Sequence, residues 1–202
     1  MSTFVAGEGT TLDQGVHVGY GVEDEAGNVQ LGKNCHIRMG TIIYHHVKVG
    51  DHFQTGHNAM IRENTTIGDH VVLGTNSIID GNVEIASFVK IESACYIPTH
   101  VKIGTRVFLG PGVVLTNDRY PLRLRDDYRP EGPTLEDDVT IGGGVTICPG
   151  VRVGAGSFVA AGAIVTKDVP PSSLVVGHGV MSKLPDKLQE PNMALSWRKF
   201  MS

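Results

Sequence analysis

A six-residue repeat runs through almost the whole chain and restricts the folds that it can adopt. The third position of the repeat is Leu, Ile or Val in 22 of 24 segments, and the exceptions are Ala6 and Thr55. Neither an α-helix, with about 3.6 residues per turn, nor a strand of alternating polarity places apolar residues at this spacing. The period predicts a β-helix, in which three segments form each triangular coil and the third positions of successive coils stack into one core.

The repeat also predicts how the chain is organised. Its segments cover residues 4–21, 29–118 and 133–168, which makes eight coils in an all-β domain over residues 1–168. Two inserted loops, residues 22–28 and 119–132, interrupt the coils. After Asp168 the step Pro170–Pro171 is expected to end the ladder of strands, because proline has no backbone N–H to donate. Residues 169–202 are therefore predicted to form a short C-terminal tail that is partly helical.

Composition favours one soluble domain and argues against some partners. The chain has 202 residues, of which 41% are hydrophobic and 19% charged, and its formal net charge is −4. It lacks the basic surplus that is typical of nucleic-acid-binding proteins. The sequence contains no pattern typical of a signal peptide or of a membrane-spanning helix, so a cytoplasmic location is expected. The three cysteines form no CxxC pair, which favours structural thiols over a redox or metal role.

Both insertions are predicted to leave the prism at the same corner. The segments before them, residues 16–21 and 113–118, fall in one stack when the faces are counted in threes. The corner residues of this stack are also the most polar of the three stacks. Because binding groups often sit on loops that a rigid scaffold holds, this corner is the predicted site. The alternative is that these polar residues simply face water.

The end of the repeat carries a resemblance to a known family. The stretch VAAGAIVTKDVPPSSLVVG, residues 159–177, resembles the closing coil of the left-handed β-helix acyltransferases that use acetyl-CoA. The resemblance covers nearly the whole chain and implies a left-handed parallel β-helix, a homotrimer, and acetyl-CoA bound in the groove between two prisms. It assigns cofactor contacts to the small residues Gly143 and Ala161 beside the pantetheine arm, and to Thr166 and Lys167 near the nucleotide. The chain departs from the family after Gly177, where the usual basic residue is missing.

A second stretch narrows the resemblance. VFLGPGVVLTNDRYP, residues 107–121, followed by an arginine-bearing loop, resembles the nucleotide-sugar N-acetyltransferases of surface-polysaccharide pathways. The nearest group acetylates the 3-amine of UDP-2-acetamido-3-amino-2,3-dideoxy-glucuronate. The resemblance implies transfer of acetyl to the amine of a nucleotide-linked amino sugar. An asparagine pair of some members is replaced here by Ser93 and Ala94, so the acceptor sugar stays open.

The resemblance also suggests catalytic residues at the predicted corner. Sugar O-acetyltransferases of the same fold carry a catalytic histidine in the segment before the resumed coil, whereas this chain has Asn117 and Asp118 there. A hydroxyl needs a positioned base, while an unprotonated amine is already a nucleophile. Asn117 is predicted to bind the acceptor amine or the developing oxyanion, or else to cap a turn. The proton is predicted to pass either to His100, which Asp118 of the next coil would orient from about 5 Å away, or to the departing thiolate.

Further polar residues are predicted to bind the substrate. They are His57, Asn58, Arg62 and Glu63, in the stretch TGHNAMIREN, and Arg119 in the second insertion. Arginine suits phosphate because its guanidinium group binds two oxygens at once. The alternatives are a structural Arg62–Glu63 ion pair and a loop with internal ion pairs.

Three other functions remain open at this point. The first is a sugar O-acetyltransferase of the same fold. A γ-type carbonic anhydrase shares the prism and binds zinc through histidines between subunits, and His52 and His57 have its H-x4-H spacing but occupy different repeat positions from the family's pair. A non-catalytic binding prism would present regular threonine or asparagine ladders, and the mixed fifth positions show none. The acetyl-CoA resemblance favours the transferase, and no metal is expected.

Overall fold

The computed structural model describes residues 4–21, 29–123 and 128–186. These residues form a left-handed parallel β-helix with three sheets, as the repeat and the family resemblance predict. We call the sheets face A, face B and face C, in the order in which each coil visits them. The described residues contain no α-helix and no helix long and apolar enough to cross a membrane.

Each face is a ladder of very short parallel strands. Face A consists of β1 (Phe4–Ala6), β4 (Val29–Leu31), β7 (Lys48–Val49), β10 (Thr66–Ile67), β13 (Glu84–Ile85), β16 (Lys102–Ile103), β19 (Thr134–Leu135) and β22 (Arg152–Val153). Face B consists of β2 (Thr11–Leu12), β5 (His36–Ile37), β8 (Gln54–Thr55), β11 (Val72–Leu73), β14 (Lys90–Ile91), β17 (Phe108–Leu109), β20 (Thr140–Ile141), β23 (Phe158–Val159), β25 (Ser173–Val176) and β26 (Val180–Lys183). Face C consists of β3 (His17–Tyr20), β6 (Ile42–Tyr44), β9 (Met60–Ile61), β12 (Ile78–Ile79), β15 (Tyr96–Ile97), β18 (Val114–Leu115), β21 (Thr146–Ile147) and β24 (Ile164–Val165).

The core is built from two positions of the repeat rather than one. The predicted third-position residues, such as Ile61 and Ile79, are fully buried, but so are first-position residues, of which Phe53 is the largest. The exceptional Thr55 is buried at the third position, where its hydroxyl accepts a hydrogen bond from the Arg38 amide at 2.8 Å. The first coil ends the prism, so its predicted core residue Leu12 stays 38% exposed.

The sixth position of each repeat turns the corner in a left-handed backbone conformation. Every described sixth position has a positive φ except Asp118 and Asp168, after which the chain leaves the regular ladder. Glycine, asparagine, aspartate and histidine tolerate this conformation better than other residues, because they lack bulk at Cβ or hydrogen-bond their own backbone. This requirement accounts for the asparagines and several of the histidines that the sequence places at corners.

β-structure continues past the predicted boundary at Asp168 in the described part of the C-terminal region. Val169 forms an isolated parallel bridge with Val153, and β25 then pairs in parallel with β23 on face B. β26 turns back and pairs with β25 in an antiparallel hairpin. Pro170 and Pro171 lie between these two pairings, so the proline step does not end the β-helix. The predicted helical tail otherwise falls on residues 187–202, which lie outside the described residues.

The cysteines occupy packed positions. Cys35 and Cys95 are buried first-position residues, and burial raises the pKa of both thiols. Cys148 is half-buried, and all three are free thiols. A raised pKa lowers the thiolate fraction, which fits the predicted structural role of Cys35 and Cys95.

Candidate functional site

The corner that follows face C is where the predicted site lies, and we call it the loop corner. Both insertions follow strands of face C, β3 and β18, so the prediction that they share a corner is confirmed. The first insertion, residues 22–28, lies outside the described residues. The second is described except for residues 124–127.

Asn117 marks the point where the chain leaves the regular ladder. Its side-chain Nδ2 donates a hydrogen bond to Thr99 Oγ1 at 2.8 Å, on the neighbouring coil. Its backbone carbonyl accepts a hydrogen bond from the Glu131 amide at 2.9 Å. The first contact holds the side-chain amide by its nitrogen, and Oδ1 makes no hydrogen bond to the residues that the structure describes. The second closes the base of the insertion.

Two residues from the far end of the insertion occupy the vacated corner positions. The Gly150 amide of the next coil donates to the Glu131 carbonyl at 2.7 Å. The Gly132 backbone lies directly against His100, since a Cβ built on Gly132 would lie 2.3 Å from the His100 carbonyl carbon. Glu131 and Gly132 therefore continue the corner ladder in place of Asn117 and Asp118.

This arrangement corrects the predicted pairing of Asp118 with His100. The Asp118 carboxylate instead accepts a hydrogen bond from the Tyr120 amide at 2.8 Å, which caps the first turn of the insertion. Among the described residues, no hydrogen bond or ion pair joins Asp118 to His100. The physical reason is that Gly132, and not Asp118, stacks on His100. A role for either side chain in catalysis stays a prediction.

His100 has a backbone role that needs no catalysis. It is an exposed sixth-position residue with φ of 65°, and its amide donates to the Asn82 carbonyl at 3.1 Å. Its neighbours in the ladder, Asn82 and Asn64, are asparagines with the same conformation. The local fold therefore explains a histidine at this position.

Arg119 and Glu131 both border Gly150 of the next coil. Arg119 Nη2 donates to the Pro149 carbonyl at 2.9 Å, so this predicted substrate residue ties the insertion to the prism. A Cβ built on Gly150 would lie 2.9 Å from Glu131 Oε2 and 3.8 Å from Arg119 Nη2. Glu131 is not among the residues that the sequence pattern predicts for the site. Counting back from the resumed repeat at Pro133 would have placed it at the corner.

The Arg62 guanidinium takes part in an ion-pair network on face C. It binds both oxygens of Glu63, at 2.9 and 3.1 Å, and Asp80 Oδ1 at 3.1 Å. Glu63 first, and then Asp80, raises the pKa of Arg62. The same guanidinium lies 5.5 Å from the centre of the Tyr44 ring, and Tyr96 donates its hydroxyl to Asp80 at 3.1 Å. These contacts correspond to the structural ion pair that the sequence left as the alternative to phosphate binding.

His57 and Asn58 lie on a different corner from Glu63. They follow β8 on face B, whereas Glu63 follows β9 on face C. Asn58 has φ of 55° and its amide donates to the Met39 carbonyl at 3.0 Å, while the His57 amide donates to Thr75 Oγ1 at 3.2 Å. The polar cluster predicted from TGHNAMIREN is thus divided between two corners.

The predicted cofactor residues are also divided between corners. Gly143 and Ala161 follow β20 and β23 on face B in adjacent coils, where the Gly162 amide donates to the Gly143 carbonyl at 2.9 Å. Thr166 and Lys167 are exposed at the loop corner, two coils beyond Asn117, or about 10 Å along the prism. One chain alone does not bring Gly143 and Ala161 to Asn117, because face C lies between the two corners.

The histidine pair of the zinc alternative is not assembled within one chain. His52 follows face A and His57 follows face B, so they occupy different corners. Within residues 4–21, 29–123 and 128–186, no group of three or more His, Cys, Asp or Glu side chains is placed to hold a metal ion.

Comparison with known proteins supports the repeat and the fold. Residues 46–81 and 132–167 match the family model described as bacterial transferase hexapeptide (six repeats). Residues 28–45 match the hexapeptide repeat of succinyl-transferase. A search of curated proteins found no match.

Two of the solved structures that are similar to this chain show the extent of the likeness. UDP-N-acetylglucosamine acyltransferase from Francisella novicida has a TM-score of 0.62 and 24% identity, covering 90% of this chain and 68% of its own. A Bacillus cereus protein described as an acetyltransferase has a TM-score of 0.51 and 14% identity, covering 94% of this chain and 88% of its own. At these identities the likeness shows the fold alone.

Proposed function

We propose that this chain is an acetyl-CoA-dependent N-acetyltransferase that acts on the amine of a nucleotide-linked amino sugar. The observation that carries the proposal is Asn117 at the interrupted corner, held by Thr99 at 2.8 Å, in the segment where the O-acetylating relatives have a histidine. An amide fits an acceptor that is already nucleophilic and needs positioning more than activation. The match to transferase repeats supports the general class.

The proposed mechanism depends on which side-chain atoms of Asn117 already make a hydrogen bond. Since Nδ2 donates to Thr99, Oδ1 is left to accept a hydrogen bond from the acceptor amine. The amine would then attack the thioester carbon of acetyl-CoA in a ternary complex, without a covalent intermediate on the protein. Asp118 caps the turn at Tyr120, so it does not orient His100 as the base that the hydroxyl-acetylating relatives need.

The distance between the corner after face B and the loop corner supports a homotrimer. In one chain the small residues Gly143 and Ala161 lie at one edge of face C, and Asn117 lies at the other. If face C turns toward the three-fold axis, the corner after face B of one subunit approaches the loop corner of the next. Acetyl-CoA would lie in that groove, where small side chains allow the pantetheine arm to approach the backbone. Thr166 and Lys167 would then lie near its nucleotide.

The outward residues of face C suit this packing. Its second-position side chains are mainly apolar, and Tyr96, Val114 and Ile164 are each more than a third exposed. All five tyrosines of the chain lie on face C or in its second insertion. Face A instead carries exposed ion pairs such as Lys102–Glu84 at 3.2 Å. Protein interfaces are enriched in aromatic residues and depleted of lysine and glutamate at their centres, which favours face C as the interface.

Oligomerisation can be tested with one substitution on each face. Val114→Lys places a charge on face C, and Thr66→Lys places the same charge on face A. We expect native mass spectrometry to show a trimer for the wild type and for Thr66→Lys, and dissociated subunits for Val114→Lys. A trimer that tolerates Val114→Lys but not Thr66→Lys would move the interface to face A.

The reaction can be tested by thiol release from acetyl-CoA. The acceptors should be a panel of nucleotide-linked amino sugars, the matching sugars with hydroxyl in place of amine, and simple sugars. We expect turnover with amine acceptors and little with the hydroxyl analogues. Acetylation of hydroxyl acceptors alone would contradict the proposal, as would carbon dioxide hydration by a zinc-loaded protein that transfers no acetyl group.

A further inference from the structure

The backbone of Glu131 is held by two hydrogen bonds although the residue belongs to the second insertion. Its amide donates to the Asn117 carbonyl at 2.9 Å, and its carbonyl accepts from the Gly150 amide at 2.7 Å. These two bonds insert Glu131 into the corner ladder between the coil of Asn117 and the next coil. Its backbone is therefore positioned as firmly as that of a regular corner residue.

The Glu131 carboxylate lies over a residue that leaves room for it. Gly150 has φ of 71°, and a Cβ there would lie only 2.9 Å from Glu131 Oε2. The Arg119 guanidinium, held on the Pro149 carbonyl at 2.9 Å, borders the same space. The carboxylate thus lies over Gly150, on a residue whose amide is bound to the Asn117 carbonyl.

Glu131 differs from the other carboxylates of face C and the loop corner. Glu63 and Asp80 bind Arg62, and Asp118 caps the Tyr120 amide. Within the part of the chain that the structure describes, the Glu131 carboxylate makes no hydrogen bond or ion pair. Its oxygens are therefore available to a ligand that donates hydrogen bonds.

We propose that Glu131 binds the amine of the acceptor and takes its proton during transfer. The proposal rests on the N-acetyltransferase function proposed above. The amine nitrogen attacks the thioester carbonyl, a C–N bond forms, and the C–S bond breaks. The proton of the nitrogen moves to the Glu131 carboxylate and then to the CoA thiolate, which gives an amide and free CoA thiol. Asn117 Oδ1 holds the amine from the other side.

The test compares Glu131→Gln with the wild type, using an amine acceptor that the wild type acetylates. Glutamine keeps the size and the backbone bonds but cannot take a proton. We expect kcat/KM for the amine acceptor to fall about 100-fold, within the range for losing a general base, while KM for acetyl-CoA stays within a factor of two. Glu84→Gln removes an exposed carboxylate on face A and serves as the matched control, which we expect to retain wild-type kinetics.

Binding separates recognition of the amine from a structural effect. We expect calorimetry to show at least tenfold weaker binding of the amine acceptor to Glu131→Gln, with unchanged binding of the analogue that carries a hydroxyl in place of the amine. Equal weakening of both ligands, or kcat/KM within threefold of the wild type, would overturn the role of Glu131 and leave the acetyltransferase function standing. A wild type that acetylates no amine would instead remove the function on which the role rests.

Discussion

The corner that follows face A and the loop corner are built from the same repeat but differ in what their side chains contact. At the corner after face A, the rings of His52 and His70 stack 4.5 Å apart, and Phe88 continues the stack at 5.0 Å. Further along the same corner, Arg106 and Asp138 form a two-point ion pair at 2.6 Å. Side chains of successive coils thus bind one another along this edge.

The loop corner is regular until the second insertion interrupts it. Asp118 leaves the left-handed conformation of the sixth position, and Glu131 and Gly132 take over the ladder. The interruption places Asn117 and Glu131 side by side through their backbones, at the mouth of a loop. At the corner after face A, side chains contact those of neighbouring coils. At the interrupted corner, the side chains of Asn117 and Glu131 present polar groups that a ligand could bind. This difference is why we place the acceptor at the loop corner.

Gly132→Ala is expected to give the largest difference in stability between the loop corner and the corner after face A. The new Cβ would lie 2.3 Å from the His100 carbonyl carbon, and a backbone atom cannot rotate away as a side chain can. We expect a loss of about 3 kcal/mol in the free energy of unfolding, measured by urea denaturation at one fixed protein concentration.

Gly156→Ala at the corner after face A is the matched control. Its φ is 65°, but the nearest atom to a new Cβ, Ser172 Oγ, would be 3.9 Å away. We expect it to cost about 1 kcal/mol, from the left-handed conformation alone. Equal losses in the two variants would show that Gly132 does not close the interrupted corner.

Asn117→Ala should separate activity from stability at the interrupted corner. Removing the amide should lower kcat about 100-fold, which is typical for loss of one positioned polar group in an active site, with KM for acetyl-CoA little changed. Loss of the hydrogen bond to Thr99 should cost only about 1 kcal/mol of stability. Steady-state kinetics and urea denaturation measure the two quantities, and normal turnover in a folded variant would contradict the assignment.

The sequence predicted the regular parts of the molecule far better than the interruption. The burial of third-position residues such as Ile61 could be predicted because a six-residue period specifies a β-helix. The shared corner of the two insertions could be predicted by assigning the repeats to the three faces in turn. Burial of the first position, as at Phe53, was not predicted, because the repeat varies there between large and small residues. The pairing of His100 with Asp118 failed because the period does not say which end of an insertion keeps the ladder. Glu131 was missed for the same reason.

The Arg106–Asp138 pair should contribute to stability and not to activity. Both side chains are under a third exposed and make two hydrogen bonds, so we expect a coupling energy of about 1 kcal/mol. A double-mutant cycle with Arg106→Gln and Asp138→Asn measures it, and asparagine keeps the left-handed conformation. The coupling should decrease as salt increases. A coupling near zero would mean that the ladder at this corner is held by its backbone alone.

His100→Asn should have the smallest effect and decides between two views of the loop corner. Asparagine adopts the left-handed conformation readily, so we expect unfolding free energy within about 0.5 kcal/mol of the wild type, whereas His100→Ala should lose about 1 kcal/mol. If the position serves the backbone, His100→Asn keeps its acetyl-transfer rate within a factor of about three while Glu131→Gln does not. If His100 is the base, the rate of His100→Asn should instead fall by about two orders of magnitude without loss of stability. Urea denaturation and thiol release on the same preparations distinguish these outcomes, because only a catalytic histidine loses rate while asparagine preserves the fold.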